Sequence, residues 1–471
     1  MKQLITFSLY SLILLSPVLA QDKNKAARLM EISRAVNLPG AQLVYTKNNK
    51  SEVYNLGTIE NGNSQKVTSN TIFEAASLSK CVFAYAVLRL YDRRLIDLDK
   101  PLLSYIGKYD HFDQTDPRFE KITARMVLSH KTGLPNWSRP GPARLMFPPD
   151  SCFSYSGEGF VFLQRTVEKI TGKTLNELAT EEVFVPLKMT SSSYDWVDKF
   201  DTVSAFGSSA GQVKRHSDQN AAYSLLTNAH DYSLFLQAVA SGEGLKPATH
   251  KLMLAKATPG NWFRHKPIEA VNHIWWGLGV GLQENEKGKA FWHWGDNGAF
   301  KAFYIDFPDR HESLVYFTHE YRGLFIAPEV IDLFMDKQTT CAIKWIEEGY
   351  TSPYSVKAYS AELAKKGFDN AAGIFYGIAY LALFAIPLFG AASLRSLAPL
   401  WLRAAALVGA AVTLLYIALT IVPIVPVESP VGFATKVIAT TLIANLVGAL
   451  IFLLAEKRQR ARNEIKRDSL A

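Results

Sequence analysis

Segments with strand-like patterns lie in two separated parts of the first 340 residues, and this arrangement narrows the possible folds more than any other feature. Residues 41–46 and 52–57 flank a polar turn, which is typical of a β-hairpin. Four later segments also read as successive strands: residues 276–282, 291–294, 299–307 and 313–319. Helical segments and long loops lie between the two groups. The sequence therefore predicts an α+β body with one antiparallel sheet built from both ends of the region and flanked by helices.

The first 20 residues have the composition of a secretory signal peptide. Lys2 precedes an apolar run from Leu4 to Leu15, and small residues lead to Ala20. The run is short for a membrane span, although an uncleaved N-terminal anchor remains the alternative. We therefore expect residues 1–20 to be a signal peptide and the body to be exported.

Three apolar stretches near the C-terminus predict a membrane region. They occupy residues 371–394, 402–425 and 431–454, and none contains an acidic residue. Each approaches or exceeds the ~20 residues that span a bilayer, whereas buried helices of a soluble domain are the alternative. The predicted organisation is therefore a polar linker at 341–370, three transmembrane helices within 371–455 and a basic cytoplasmic tail at 456–471.

The positive charge is concentrated beside these stretches. The net charge is +8, and residues from 373 onward contribute nine basic and four acidic side chains. The exported body is therefore nearly neutral, so we expect no nucleic-acid partner. Arg395, Arg403 and the tail all fall on the cytoplasmic side if the body lies outside, in agreement with the positive-inside rule. We expect a location in the inner membrane, with the body extracytoplasmic or periplasmic and the lipid bilayer as a partner.

Cysteine and histidine spacing gives no sign of a metal site. Cys81, Cys152 and Cys341 cannot all pair within one chain, and none has metal-ligand spacing. No H-E-x-x-H arrangement is present, so we expect neither a metal nor another cofactor. Cys81 and Cys152 could lie close together, but buried free thiols are the preferred interpretation.

The clearest chemical signal is Ser77-Leu78-Ser79-Lys80. Three residues make almost one helical turn, so the Ser77 hydroxyl and the Lys80 amine are expected on one helix face. A lysine can act as a base if burial lowers its pKa, and the apolar residues around it favour burial. An exposed serine and lysine on a helix surface are the ordinary alternative for such a pair.

Two further motifs follow in order, Tyr155-Ser156-Gly157 and His293-Trp294-Gly295. With them, the sequence resembles the group of class C β-lactamases, penicillin-binding proteins and D-stereospecific peptidases or esterases. The motifs of that group are Ser-x-x-Lys, Tyr-x-Asn and Lys-Thr-Gly or His-x-Gly. The resemblance covers about residues 37–336. It assigns residues 21–340 to a serine hydrolase domain with a β-lactamase/transpeptidase-like fold.

The resemblance implies a role for each motif residue. Ser77 would be the nucleophile, Lys80 its base, and Tyr155 would share the proton network and protonate the leaving group. His293 would line the site, where its cation could favour a substrate carboxylate. The oxyanion hole would consist of the backbone N–H groups of Ser77 and Asp296, the latter just past Gly295.

Gly157 departs from the family pattern, because relatives have an asparagine there that binds the acylamino side chain of the substrate. Its loss leaves acyl transfer feasible but weakens the case for efficient turnover of β-lactams. The expected function is that of a membrane-anchored serine hydrolase that forms an acyl-enzyme with an ester, a D-amino-acid peptide or a β-lactam-like amide.

Three alternatives stand beside this interpretation. Ser209 lies in a G-x-S-x-G segment, but the polar residues that follow do not suit the helix of a nucleophile elbow. Lys131-Thr132-Gly133 looks like the third motif but precedes Tyr155, so a structural role is expected. The third alternative is a non-catalytic sensor or scaffold of the same fold that binds peptidoglycan or peptide.

Overall fold

The computed structural model describes residues 23–113, 115–138, 140–207, 218–259, 272–335 and 341–349. The α-helices in these residues are α1 Lys23–Ala35, α2 Ser79–Asp92, α3 Leu103–Ile106, α4 Ala124–Leu128, α5 Gly157–Thr171, α6 Leu175–Ala179, α7 Ala229–Ser241, α8 Pro247–Met253, α9 Ala327–Phe334 and α10 Cys341–Gly349. The strands are β1 Gly40–Lys47, β2 Lys50–Gly57, β3 Phe73–Glu74, β4 Leu226–Thr227, β5 Thr258–Pro259, β6 Ile274–Trp276, β7 Gly281–Asn285, β8 Gly288–Asn297, β9 Phe300–Phe307 and β10 Glu312–Thr318.

An eight-stranded antiparallel sheet joins the two ends of the body. Eight strands lie in the order β2-β1-β10-β9-β8-β7-β6-β5, while β3 and β4 form a separate pair. β1 pairs with β10 over a register that runs from Ala41 opposite Thr318 to Lys47 opposite Glu312. The Tyr45 hydroxyl reinforces the pairing by donating to the Glu312 carboxylate at 2.7 Å. The α+β prediction, with one sheet built from both ends, is therefore confirmed.

Helices cover both faces of the sheet. On one face, Leu29 of α1 and Val330 of α9 join a cluster with Phe303 of β9. On the other face, α2 and α7 form a larger core, to which Phe235 and Tyr304 belong. Helices α3 to α6 extend this second core through the contacts of α5 with its neighbours. The sheet thus separates two apolar cores, and the start of α2 lies in the larger one.

The expected single strand over residues 276–282 is wrong. The chain instead forms two strands, β6 and β7, joined by a tight turn in which Gly277 N–H donates to the Val280 carbonyl at 2.9 Å. Gly279 has φ +87°, and a Cβ there would overlap the Cβ of Ala84 in α2. Glycine is therefore required where this turn meets α2, and it interrupts the strand.

The predicted polar linker, residues 341–370, begins too early in the sequence. Its first nine residues form α10, and Ala342, Ile343, Trp345 and Ile346 are buried in the same cluster as α1 and α9. These residues recur at helical spacing, so one face of the segment is apolar although the stretch as a whole is polar. The folded body consequently extends beyond residue 340.

Several expectations fall on other parts of the chain. In the residues that the structure describes, no helix is long and apolar enough to cross a membrane. The segment 1–20, the three apolar stretches, the basic tail and Ser209 all lie outside the described residues. The three cysteines are described and are free thiols, and the buried Cys81 accepts a hydrogen bond from the Tyr304 hydroxyl at 3.3 Å.

Candidate active site

Ser77 lies in a short 3-10 turn, Ala76–Leu78, directly before α2. Ala76 has φ +49°, a left-handed conformation that is strained for a residue with a Cβ. Two buried tyrosines hold this turn in place. The Tyr232 hydroxyl donates to the Leu78 carbonyl at 3.0 Å, and the Tyr194 hydroxyl donates to the Ser79 carbonyl at 2.5 Å. The strained turn is thus fixed by the larger core, and it leaves Ser77 partly exposed.

The structure brings Lys80 to Ser77, as the spacing predicts. Lys80 Nζ donates to Ser77 Oγ at 3.1 Å and to the Ala222 carbonyl at 2.9 Å. The lysine is buried, and this burial lowers the pKa of its ammonium from 10.5 to about 7. A large fraction of the amine is therefore neutral near pH 7 and can accept the Ser77 proton.

Tyr155 also contacts Lys80, with the lysine Nζ over its ring at 4.8 Å from the centroid. The ring packs on His130 at a centroid distance of 4.4 Å. His130 Nδ1 also accepts the N–H of Ser156 at 3.1 Å, so one buried imidazole holds both the tyrosine ring and the next backbone amide. The site therefore groups Ser77, Lys80 and Tyr155, the three residues expected to perform the chemistry.

His293 lies on β8 within the site, but it does not carry the expected charge. It is fully buried, and burial together with the positive charge of Lys80 lowers its pKa to about 3. Its Nδ1 lies 2.7 Å from the Trp294 carbonyl, which makes Nδ1 the protonated nitrogen of a neutral ring. The expectation of a cationic His293 that holds a substrate carboxylate is therefore corrected, because the sheet and helices exclude water from the ring.

Gly295 and Asp296 lie on the part of β8 that extends past β7. β7 pairs with β8 only as far as Trp292, which is opposite Gly281. A Cβ at Gly295 would lie 2.6 Å from the Ala75 carbonyl oxygen, so glycine permits the strand to approach the turn that holds Ser77. The Asp296 side chain forms an ion pair with Lys301 and accepts the Gly298 N–H at 2.9 Å. The carboxylate is thus held at the end of the strand.

Gly157 begins α5, two residues after Tyr155. Its N–H donates to the Asn136 side-chain oxygen at 3.0 Å. A Cβ at this position would lie only 2.6 Å from the Trp137 ring, which therefore occupies the space next to Gly157. The sequence does not single out Trp137, and it gives His130 no role beyond its place in a structural segment, because the role of each depends on contacts with another segment of the chain.

Lys131 has a carboxylate partner, whereas Lys80 is the lysine that contacts Ser77. Its Nζ forms an ion pair with Asp150 at 2.5 Å. The Thr132 hydroxyl accepts the Leu134 N–H at 3.1 Å, which stabilises the local turn. This geometry agrees with the structural role expected for the Lys131-Thr132-Gly133 segment.

A sheet with helices on both faces and a Ser-x-x-Lys turn packed against β8 and β9 are the features of the β-lactamase fold, which is a fold of serine hydrolases. The sequence matches the family described as Beta-lactamase over residues 25–329, more than half of the chain. The chain therefore belongs to the beta-lactamase family, which includes penicillin-binding proteins, β-lactamases and amidohydrolases.

Three relatives illustrate the similarity. Penicillin-binding protein 4* of Bacillus subtilis is 23% identical over 369 residues, which cover 70% of this chain and 76% of that protein. Lovastatin esterase of Penicillium rubens is 27% identical over 188 residues, covering 32% of this chain and 47% of that protein. The solved β-lactamase/D-alanine carboxypeptidase of Yersinia pestis, complexed with citrate, has a TM-score of 0.55 and 17% identity, covering 63% of this chain and 92% of that one.

Proposed function

We propose that this protein is a membrane-anchored, extracytoplasmic serine hydrolase that forms an acyl-enzyme on Ser77. The observation that carries the proposal is the 3.1 Å contact between Ser77 Oγ and a buried Lys80 whose pKa is lowered to about 7. A purely binding role gives no reason to bury an amine beside a serine hydroxyl, since the burial of an ionisable group is costly. Catalysis does give such a reason, because it requires a base that is neutral near pH 7.

The chemistry proceeds in two acyl-transfer steps. Neutral Lys80 takes the proton of Ser77 Oγ as that oxygen bonds to the carbonyl carbon of the substrate. The backbone N–H groups of Ser77 and Asp296 donate to the resulting oxyanion. The proton passes through Lys80 and Tyr155 to the leaving oxygen or nitrogen, whose bond to carbon then breaks. Water next attacks the carbonyl carbon of the acyl-enzyme and gives up a proton to the same network. The bond between that carbon and Ser77 Oγ then breaks, Ser77 Oγ takes a proton back from the network, and the carboxylic acid leaves.

Neutral esters are the substrates that this site favours. His293 is uncharged and therefore lacks the cation that would recognise a carboxylate on a peptide or β-lactam. Gly157 also lacks the side-chain amide that would recognise an acylamino group. The likeness to a lovastatin esterase supports esters, whereas the likeness to a penicillin-binding protein keeps D-amino-acid peptides and β-lactam amides as slower substrates.

The decisive experiment is intact-mass analysis of the full-length protein in detergent after incubation with a fluorophosphonate and, separately, with a penicillin. We expect the fluorophosphonate to add one label, located on Ser77 by peptide mapping, and Ser77→Ala to remain unlabelled. Ser79→Ala is the matched control, because it removes the serine that begins α2, two residues after Ser77, and should keep labelling at Ser77. Label on Ser209, or no label on the folded wild type, would reject the proposal and favour a non-catalytic binding protein.

Membrane anchoring and location are part of the same proposal. The signal-like residues 1–20 support export of the body, and the three apolar stretches support insertion into the inner membrane. The arginines between the first two stretches and the basic tail support a cytoplasmic C-terminus. In this arrangement the hydrolase acts on extracytoplasmic substrates near a lipid surface.

A further inference from the structure

Trp137 is a large apolar side chain that the fold leaves exposed beside the candidate active site. Its side chain is 46% exposed, yet its ring lies against Gly157, where an added Cβ would be 2.6 Å away. The ring also meets Tyr223 edge to face, with centroids 5.6 Å apart and an interplanar angle of 76°. We call this pair the Trp137–Tyr223 surface. Two aromatic rings thus form a continuous apolar surface that remains open to solvent on one side.

Both rings are tied directly to the candidate active site. Tyr223 follows Ala222, whose carbonyl accepts the Lys80 Nζ at 2.9 Å. The Tyr223 carbonyl in turn accepts the side-chain amide of Asn297, at the end of β8, at 3.3 Å. Trp137 covers Gly157, which is two residues after Tyr155. The surface therefore extends from Tyr223, next to the residue that accepts the Lys80 hydrogen bond, to Gly157, two residues after Tyr155.

The loop that carries Trp137 is fixed on both sides of the ring. Asn136 accepts the N–H of Gly157 through its side chain at 3.0 Å, and the Ser138 N–H donates to the Glu158 carboxylate at 2.8 Å. Both partners lie in the first turn of α5. The backbone is therefore held rigidly on either side of an exposed indole, which lowers the entropic cost of binding a ligand to it.

We propose that the Trp137–Tyr223 surface is the binding site for the acyl group of the substrate, and that it selects acyl groups carrying an aromatic or other flat apolar ring. This inference rests on the proposed function. A flat ring can stack on the face of the indole or meet its edge while the ester carbonyl reaches Ser77. Gly157 is the residue that makes the surface possible, because any larger residue would displace the indole. Glycine in place of the family's asparagine at position 157 thus removes an amide contact and makes room for an aromatic one.

The test compares two esters with the same leaving group, 4-nitrophenyl phenylacetate and 4-nitrophenyl acetate. For the full-length protein in detergent, we expect a higher kcat/KM with the phenylacetyl ester. Trp137→Ala should lower the phenylacetyl-to-acetyl ratio of kcat/KM by about tenfold, through KM, because an aromatic contact and its buried area are lost. Trp137→Phe should retain most of the ratio. Tyr321→Ala, which removes an aromatic side chain of 49% exposure far along the chain, is the matched control and should leave the ratio unchanged.

A double-mutant cycle tests whether Gly157 affects the ratio through its contact with Trp137. Gly157→Ala should displace the indole and lower the ratio in the wild-type background, but it should have little effect when Trp137 is already alanine. Equal effects of Gly157→Ala in both backgrounds would overturn the inference, as would a phenylacetyl-to-acetyl ratio that Trp137→Ala leaves intact. Failure of the proposed function looks different: neither ester would be hydrolysed, and the wild type would not be labelled at Ser77.

Discussion

The Lys80 amine sets the pH dependence that we expect for the activity. Because burial lowers its pKa to about 7, the active neutral form increases as pH rises through that value. We expect kcat/KM for a neutral ester to rise with pH, with an apparent pKa near 7, and then to level off. A profile measured from pH 5.5 to 9.5 tests this, and a rise that continues toward the ordinary lysine value of 10.5 would contradict it.

The same group also affects stability. Between about pH 7 and pH 10.5 the unfolded chain keeps a proton on Lys80 that the folded chain has largely lost. The unfolded state therefore binds more protons in this interval, so the contribution of Lys80 to the free energy of unfolding becomes more favourable as pH rises. Below pH 7 this contribution no longer changes, because both states are protonated.

Removal of the Lys80 amine should affect the chemical step directly. We expect Lys80→Ala to lower kcat/KM for 4-nitrophenyl acetate by at least about 100-fold, the effect typical of losing a general base. Lys131→Ala is a suitable control, because Lys131 is a partly buried lysine that pairs with Asp150 instead of Ser77. Near-wild-type activity of Lys80→Ala, or an equal loss in the control, would show that Lys80 is not the base.

At the level of secondary structure elements, the turn between β6 and β7 fixes the position of α2. Gly279→Ala should lower the free energy of unfolding by roughly 2–4 kcal/mol, because it combines a positive φ with an overlap against Ala84. Chemical denaturation of the detergent-solubilised protein measures this loss. Gly172→Ala is the control: it also has a positive φ, +67°, but no described heavy atom lies within 4 Å of the added Cβ. If both variants lost the same stability, the contact with α2 would not be the cause.

The sequence could predict those parts of the fold and site that depend on local spacing. The three-residue interval between Ser77 and Lys80 is a property of one helical turn, and β1, β2 and β10 follow from simple apolar patterns. The charge of His293 could not be predicted, because its burial comes from residues distant in sequence. The same holds for the contact of Trp137 with Gly157 and Tyr223. Helix α10 is not predicted, because the polar residues that follow it make the whole of segment 341–370 resemble a linker.

For the whole molecule, the central prediction concerns topology. We expect an alkaline phosphatase joined after Tyr350 to be active in cells, and one joined after Ala471 to be inactive, because three crossings would return the chain to the cytoplasm. A cytoplasm-dependent reporter such as β-galactosidase at the same two positions is the control and should give the opposite result. Phosphatase activity at Ala471 without activity at Tyr350 would overturn the proposed arrangement.

The pairing of β1 with β10 also governs when this body can fold. Residues that meet across this pair, such as Tyr45 and Glu312, are 267 positions apart. During synthesis the N-terminal hairpin therefore waits for almost the entire body before it gains its neighbour in the sheet, and contacts of such long sequence separation form slowly. Until β10 has been made, the body therefore lacks the pair that completes its sheet, and an incompletely folded chain is the form that could pass through an export channel in the arrangement proposed above.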